Sequence, residues 1–255
     1  GTYNMTGGKL TVLSDFIDVG GAGNGEMTMG AGTVADLSGF RISRWNGGTG
    51  KLTMNAGSTM ILGAHGSNDN MVAEEGGSNG TVIMNGGTMR QVDTSAQWNH
   101  IGRSGTADLE LNSGTMSFNA RLHIGKSTGA ETTVNQSGGL IEVRGGGNGP
   151  EIILGDDGGH VTYNMTGGAM KAFSNIIVGH WDNSDAKLNV SNGTINSRDF
   201  YIGNGRSDSP GGPASTVGEV NQSGGSITAT NGIILGGSDS GKATLNLSGG
   251  TLKGS

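Results

Sequence analysis

The heptapeptide TYNMTGG occurs at residues 2–8 and again, unchanged, at residues 162–168, and looser copies of it recur along the whole chain. Counted from Tyr3, the copies begin at Met27, Leu52, Val82, Leu109, Val134, Tyr163, Leu188, Val220 and Leu245, at intervals of about 24 to 32 residues. A period of that size marks a chain built by stacking one small unit on the next. Each unit holds a short alternating stretch, a glycine-rich turn, a second alternating stretch and a third that ends in Ile-Gly or its equivalent. In unit one the parts are YNM, TGG, KLTV and FIDVG. Period-two alternation places side chains on opposite faces of a strand, so each unit predicts three short strands joined at corners. Stacking such triangular coils at about 4.8 Å gives a rod of roughly 45 to 50 Å. The expectation is an all-β parallel β-solenoid, one domain over residues 1–255, with about ten coils of roughly 25 residues.

Composition agrees and removes other classes. Glycine supplies 53 of 255 residues but without a Gly-X-Y period, which excludes collagen. Charged residues are 14%, too few for a chain held open by self-repulsion. The net charge of −6 is spread along the chain with no basic stripe, so nucleic acid is not an expected partner. No apolar run reaches the roughly 18 residues that a membrane-spanning helix needs. The absence of cysteine excludes disulfides and thiolate metal sites.

The methionines test the register, because it was set on the glycines. Met5, Met29, Met54, Met84 and Met165 fall at the third position of the first strand, and Met27 at its first position. Met60, Met89, Met116 and Met170 fall at the inward position of the second strand, whereas Met71 has no clear place. These are expected to fill a narrow core. The longest interruption, residues 204–219, predicts an excursion from one corner.

The segments VNQSGG, LNVSNGT, LNLSGGTL and FYIGNG resemble the autotransporter-associated β-strand repeats of large exported bacterial proteins. The resemblance covers nearly all of the chain, although MTMGAG and LTMNAGS in the early units lack the Asn of the pattern. It implies a right-handed β-solenoid passenger outside the cell or on its surface. The function expected from it is structural: a rod segment of a fibre, adhesin or stalk, without catalysis or cofactor. Asn135, Asn164, Asn189, Asn221 and Asn246 hold one position of the repeat, so their Asn-x-Ser/Thr triplets are read as a ladder of stacked amides rather than as glycan acceptors.

Several constellations raise chemical alternatives. GGAGNG and GGGNG lack a following helix and so are poor phosphate loops. The acids Asp69, Asp156, Asp157, Asp182, Asp185, Asp208 and Asp239 lie in turns without the fixed short period of calcium-binding rolls, and are read as Asx turns. A column of Thr33, Thr88, Thr115, Thr194 and Thr251 is too narrow for an ice-binding array. Trp45 and Trp181 occupy equivalent corner positions and are expected to pack over them. The most specific alternative is a polar face carrying Asp18, Arg41, His100 and His123, each just before the last apolar residue of the third strand. Such a face suits a carbohydrate-binding or polysaccharide-cleaving solenoid, the second functional reading.

The same column continues as Ile153, Ile177, Tyr201 and Ile234. If these point outward they form an apolar stripe, expected to be a contact between sister rods or the seat of the 204–219 excursion. Unit one begins within a turn and unit ten stops after its second strand, so an excerpt of a longer solenoid, or a protomer that joins its neighbours end to end, is expected.

Overall fold

A computed structural model describes residues 1–63, 69–92, 98–145, 149–204, 215–237 and 241–255. Among them the regular structure is entirely β, without a helix, and every strand pairing is parallel. The first strands pair in the register Tyr3, Met27, Leu52, Val82, Leu109, Val134, Tyr163, Leu188, Val220, Leu245. All the repeat starts read from the sequence therefore share one column. They make a β-solenoid of about nine turns, the last coil ending after its second strand at Thr251–Gly254.

The core is the interior of this stack. Met5, Met29, Met54 and Met84 lie one above another and all are buried. Leu111, Gln136 and Met165 continue the column. Gln136 is the exception that needs a reason, since a buried amide is costly unless bonded. Its Nε2 donates to the carbonyls of Gly138, Gly139 and Ala169 at 3.2, 3.3 and 3.0 Å, and its Oε1 accepts from the Tyr163 hydroxyl at 2.6 Å. The duplicated phrase is thus used twice in one column but in two settings. Tyr163 is fully buried over Gln136, while Tyr3 in the first coil is 46% exposed.

Each third strand leaves through a corner residue with positive φ: Gly20, Ser43, Ala73, Gly102, Gly125, Gly155, Gly179, Gly203 and Gly236. The requirement is steric as well as conformational. At Gly179 (φ +75°) an added Cβ would stand 2.4 Å from the Val217 carbonyl oxygen, so a side chain would need the backbone to move. Ser43 tolerates the position by donating its hydroxyl to the Gly48 carbonyl at 2.6 Å and accepting the Asn79 N–H at 3.0 Å. Ala73, with φ 53°, ends unit three. Met71 is therefore the rung missing from the third-strand column, pairing with Arg41 below and His100 above.

Two sequence expectations shift. Thr33 stands one place out of the predicted threonine column, because Val34 is the residue that pairs with Thr59 and thence Thr88; Thr33 is buried and bonds the Gly30 carbonyl. The excursion is shorter than predicted, since Thr216–Gln222 is a strand paired on Asp185–Val190. Residues 205–214, with Asp208, and Asp239 lie outside the described residues.

Candidate functional site

The third-strand column runs, by backbone pairing, Asp18, Arg41, Met71, His100, His123, Ile153, Ile177, Tyr201, Ile234. The register expected from the sequence holds, and these side chains lie opposite the core-facing neighbours Leu154, Val178 and Ile202. Their exposure differs from expectation. Ile153 and Ile177 are 0% and 3% exposed, and Tyr201 and Ile234 are half-buried, so the predicted open apolar stripe is not a free surface. Arg41, His100 and His123 are buried as well, and Asp18 alone of the eight is exposed. Over the two histidines the cover is an aromatic side chain from a connection between strands. Trp98, in the connection before the third strand of coil four, sets its ring 5.3 Å from that of His123 and 6.2 Å from that of His100.

A neighbouring column completes the site. The residue just after each corner is Arg44, Glu74, Arg103, Lys126, Asp156 and His180 in successive coils. Charges in it pair from coil to coil. Arg44 lies 3.6 Å and Arg103 3.5 Å from the Glu74 carboxylate, which also meets Arg41 at 3.4 Å; Asp18 reaches Arg44 at 3.8 Å. Higher up, Lys126 Nζ is 3.0 Å from Asp156 Oδ2 and contacts Asp157. The four predicted polar residues therefore divide. Asp18 and Arg41 join a cluster around Glu74, and His100 and His123 join one around Asp156.

In the upper cluster the Asp156 carboxylate, 2% exposed, is shared. His180 Nδ1 lies 2.8 Å from Oδ1 and, facing an acceptor, carries the proton; His180 stacks on Trp181 with ring centroids 4.5 Å apart. His123 Nδ1 is 2.9 Å from Oδ2 but misaligned for a ring N–H bond, and the His123 Nε2 and His100 Nδ1 atoms are buried without partners. The His100 and His123 rings stack at 5.2 Å.

Burial holds both imidazoles below their ordinary range: His100 well below, with the nearby His123, Arg103 and Lys126 adding to the effect, and His123 in spite of Asp156. Burial would raise the Asp156 carboxyl, but the contacts from His123 and His180 outweigh it and keep the acid ionised. Burial likewise opposes the Lys126 charge, and Asp156 with Asp157 outweighs it.

Such a group could in principle move protons, yet among the described residues the space beside it is small. The cavity touching His100 is about 30 Å³ and mostly apolar, room for about one water. The large grooves lie elsewhere, on the first-strand face and by residues 1–27. Among the described residues no three acidic, histidine or cysteine side chains converge as metal ligands.

The sequence reading missed Trp98, Lys126 and His180, and took Asp156 only as an Asx-turn acid. The available signal was the corner itself, since Lys126, Asp156 and His180 each follow a corner glycine and so must stack. Trp45 and Trp181 do pack at their corners, Trp45 against Gly21 of the coil below and under the Arg44 guanidinium at 4.5 Å. No protein-family model, curated protein or solved structure matches this chain.

Proposed function

We propose that the chain is a rod segment of a secreted or cell-surface bacterial fibre, adhesin or stalk, of the autotransporter-associated repeat type that its sequence resembles, and that it works by coil stacking and presentation rather than catalysis. The observation that carries this reading is the use made of the chemistry-bearing residues. Asp156, His123, His180 and Lys126 come from coils five, six and seven and meet one another across coil boundaries, with Asp156 held between His180 and Lys126. A catalytic site leaves reactive atoms facing a cleft; these face neighbouring rungs. Self-association end to end would repeat the same parallel rung contact between chains. The test is antibody labelling of the producing cells with electron microscopy. Decorated fibres on intact cells are expected, and labelling only after permeabilisation would overturn the reading.

A further inference from the structure

The outer face of the first strands carries a second ordered feature, unrelated to the joint around Asp156. The predicted amide ladder is present: Asn164 donates to Asn135, Asn189 to Asn164, Asn221 to Asn189 and Asn246 to Asn221, at 2.7 to 3.0 Å. Acids tie it at its first and fourth rungs, with Asn135 donating to Glu110 at 2.8 Å and Asn221 to Glu219 at 2.7 Å. A side-chain amide has two N–H donors and an oxygen with two lone pairs. The bonds along the ladder use one donor of Asn164, Asn189 and Asn246. One N–H on each of these, and one oxygen lone pair per rung, remain to face solvent.

Beside the amides runs a column of exposed hydroxyls, Thr166, Ser191, Ser223 and Ser248. Three of them reach a carbonyl of the coil below only at 3.5 Å, so they are free to turn to another partner. The two columns line one groove of about 470 Å³ over coils seven to ten. Its neighbour on the same face, about 390 Å³, is charged, with Glu131, Asp185, Lys187 and Glu219.

We propose that this amide and hydroxyl groove binds an extended, unbranched, uncharged polysaccharide laid along the rod axis. The repeat selects the polymer. Donors and acceptors recur at the rung spacing of about 4.8 Å, whereas a peptide strand advances about 3.3 Å per residue and drops out of step after one rung. A 1,4-linked pyranose chain advances by nearly one rung per sugar, so each ring meets one amide and one hydroxyl. The sign of charge selects against the other extended polymers. The ionised groups nearest the ladder are Glu110, Glu219 and Lys187, the last paired with Glu219 at 3.0 Å, so the strip keeps a net negative charge that disfavours phosphodiesters and polyuronates. The groove has no aromatic platform, so binding is weak per sugar and grows with length.

This goes beyond the rod reading, which survives whether or not the groove is occupied. The probe is a length series of uncharged β-1,4-linked oligosaccharides, followed by shifts of the Asn side-chain NH₂ signals. Affinity should rise until the oligomer spans the four amides and then level off, and the matching uronate series should not bind. Substituting Ser191→Val with Ser223→Val leaves the ladder intact and should weaken binding at least tenfold without moving the melting temperature. Amide signals unmoved at every length, equal affinity for the uronates, or undiminished binding by the Ser variant would each overturn the proposal.

Discussion

Glu74 and Asp156 occupy the same place, one residue past the corner, in coils three and six, and each is the acid between basic side chains of adjacent coils. The lower acid meets three guanidiniums at 3.4 to 3.6 Å, and the Arg44 and Arg103 side chains that bring two of them are 32% and 43% exposed. The upper acid meets Lys126 and two imidazoles at 2.8 to 3.0 Å, with side chains 1% to 13% exposed. One column of the repeat thus makes a partly solvated ion-pair network in one half of the rod and a more deeply buried joint in the other. Position in the repeat decides which residues meet. Cover from outside the repeat, here Trp98, decides what their meeting is worth.

Removing the two acids should separate these regimes most widely. Asp156→Ala leaves the His180 ring without its partner and Lys126 with only the more exposed Asp157, which should cost about 3 kcal/mol, the low end for breaking a buried pair. Glu74→Ala leaves Arg44 and Arg103 to water, with only Arg41 buried against Phe16, and should cost about 1 to 2 kcal/mol. Urea unfolding of both variants measures the difference. Equal losses would mean that burial does not distinguish the clusters.

A second contrast lies at the corners beneath them. Gly179→Ala forces a Cβ toward the Val217 carbonyl at positive φ, and strain with overpacking should cost about 2 to 4 kcal/mol. Ala73→Gly, at a corner already occupied by a side chain, should change stability by no more than about 0.5 kcal/mol, since relief of strain offsets the added freedom of the unfolded chain. Thermal melts of the pair test this; a large loss in the Ala73 variant would mean that its methyl group, not its backbone, holds coil three.

How far the sequence could be read follows from the same distinction. The ten first-strand starts, the methionine columns and the Asn135 to Asn246 ladder were legible because each depends only on period. The third-strand column was legible in register but not in burial. Ile153 and Ile177 are buried although they point away from the core, and connections of varying length carry no period from which that could be inferred. The corners at Ser43 and Ala73 were hidden because a positive φ usually announces itself as glycine. Asp156 was visible as a turn acid and not as a hub, because its partners His123 and Lys126 precede it by a whole coil.

The central claim is that the histidines and Asp156 form a buried joint rather than a working site, and its most direct test is stability against pH. His100 and His123 have folded values below that of an unfolded histidine, about 6.5. The unfolded chain therefore takes up protons first, and stability falls as pH drops below about 6.5. Asp156, depressed in the fold, adds a further loss only below about 3.9. Met71 and Ile153 fill the same column one coil to either side, so a His100→Met, His123→Ile double variant keeps the shape of the joint without its titrating rings. Melting temperature measured from about pH 7.5 to about pH 5 should fall clearly in the natural chain and much less in the variant. Parallel profiles in the two proteins would contradict the account, because they would mean that the rings titrate as freely in the fold as out of it.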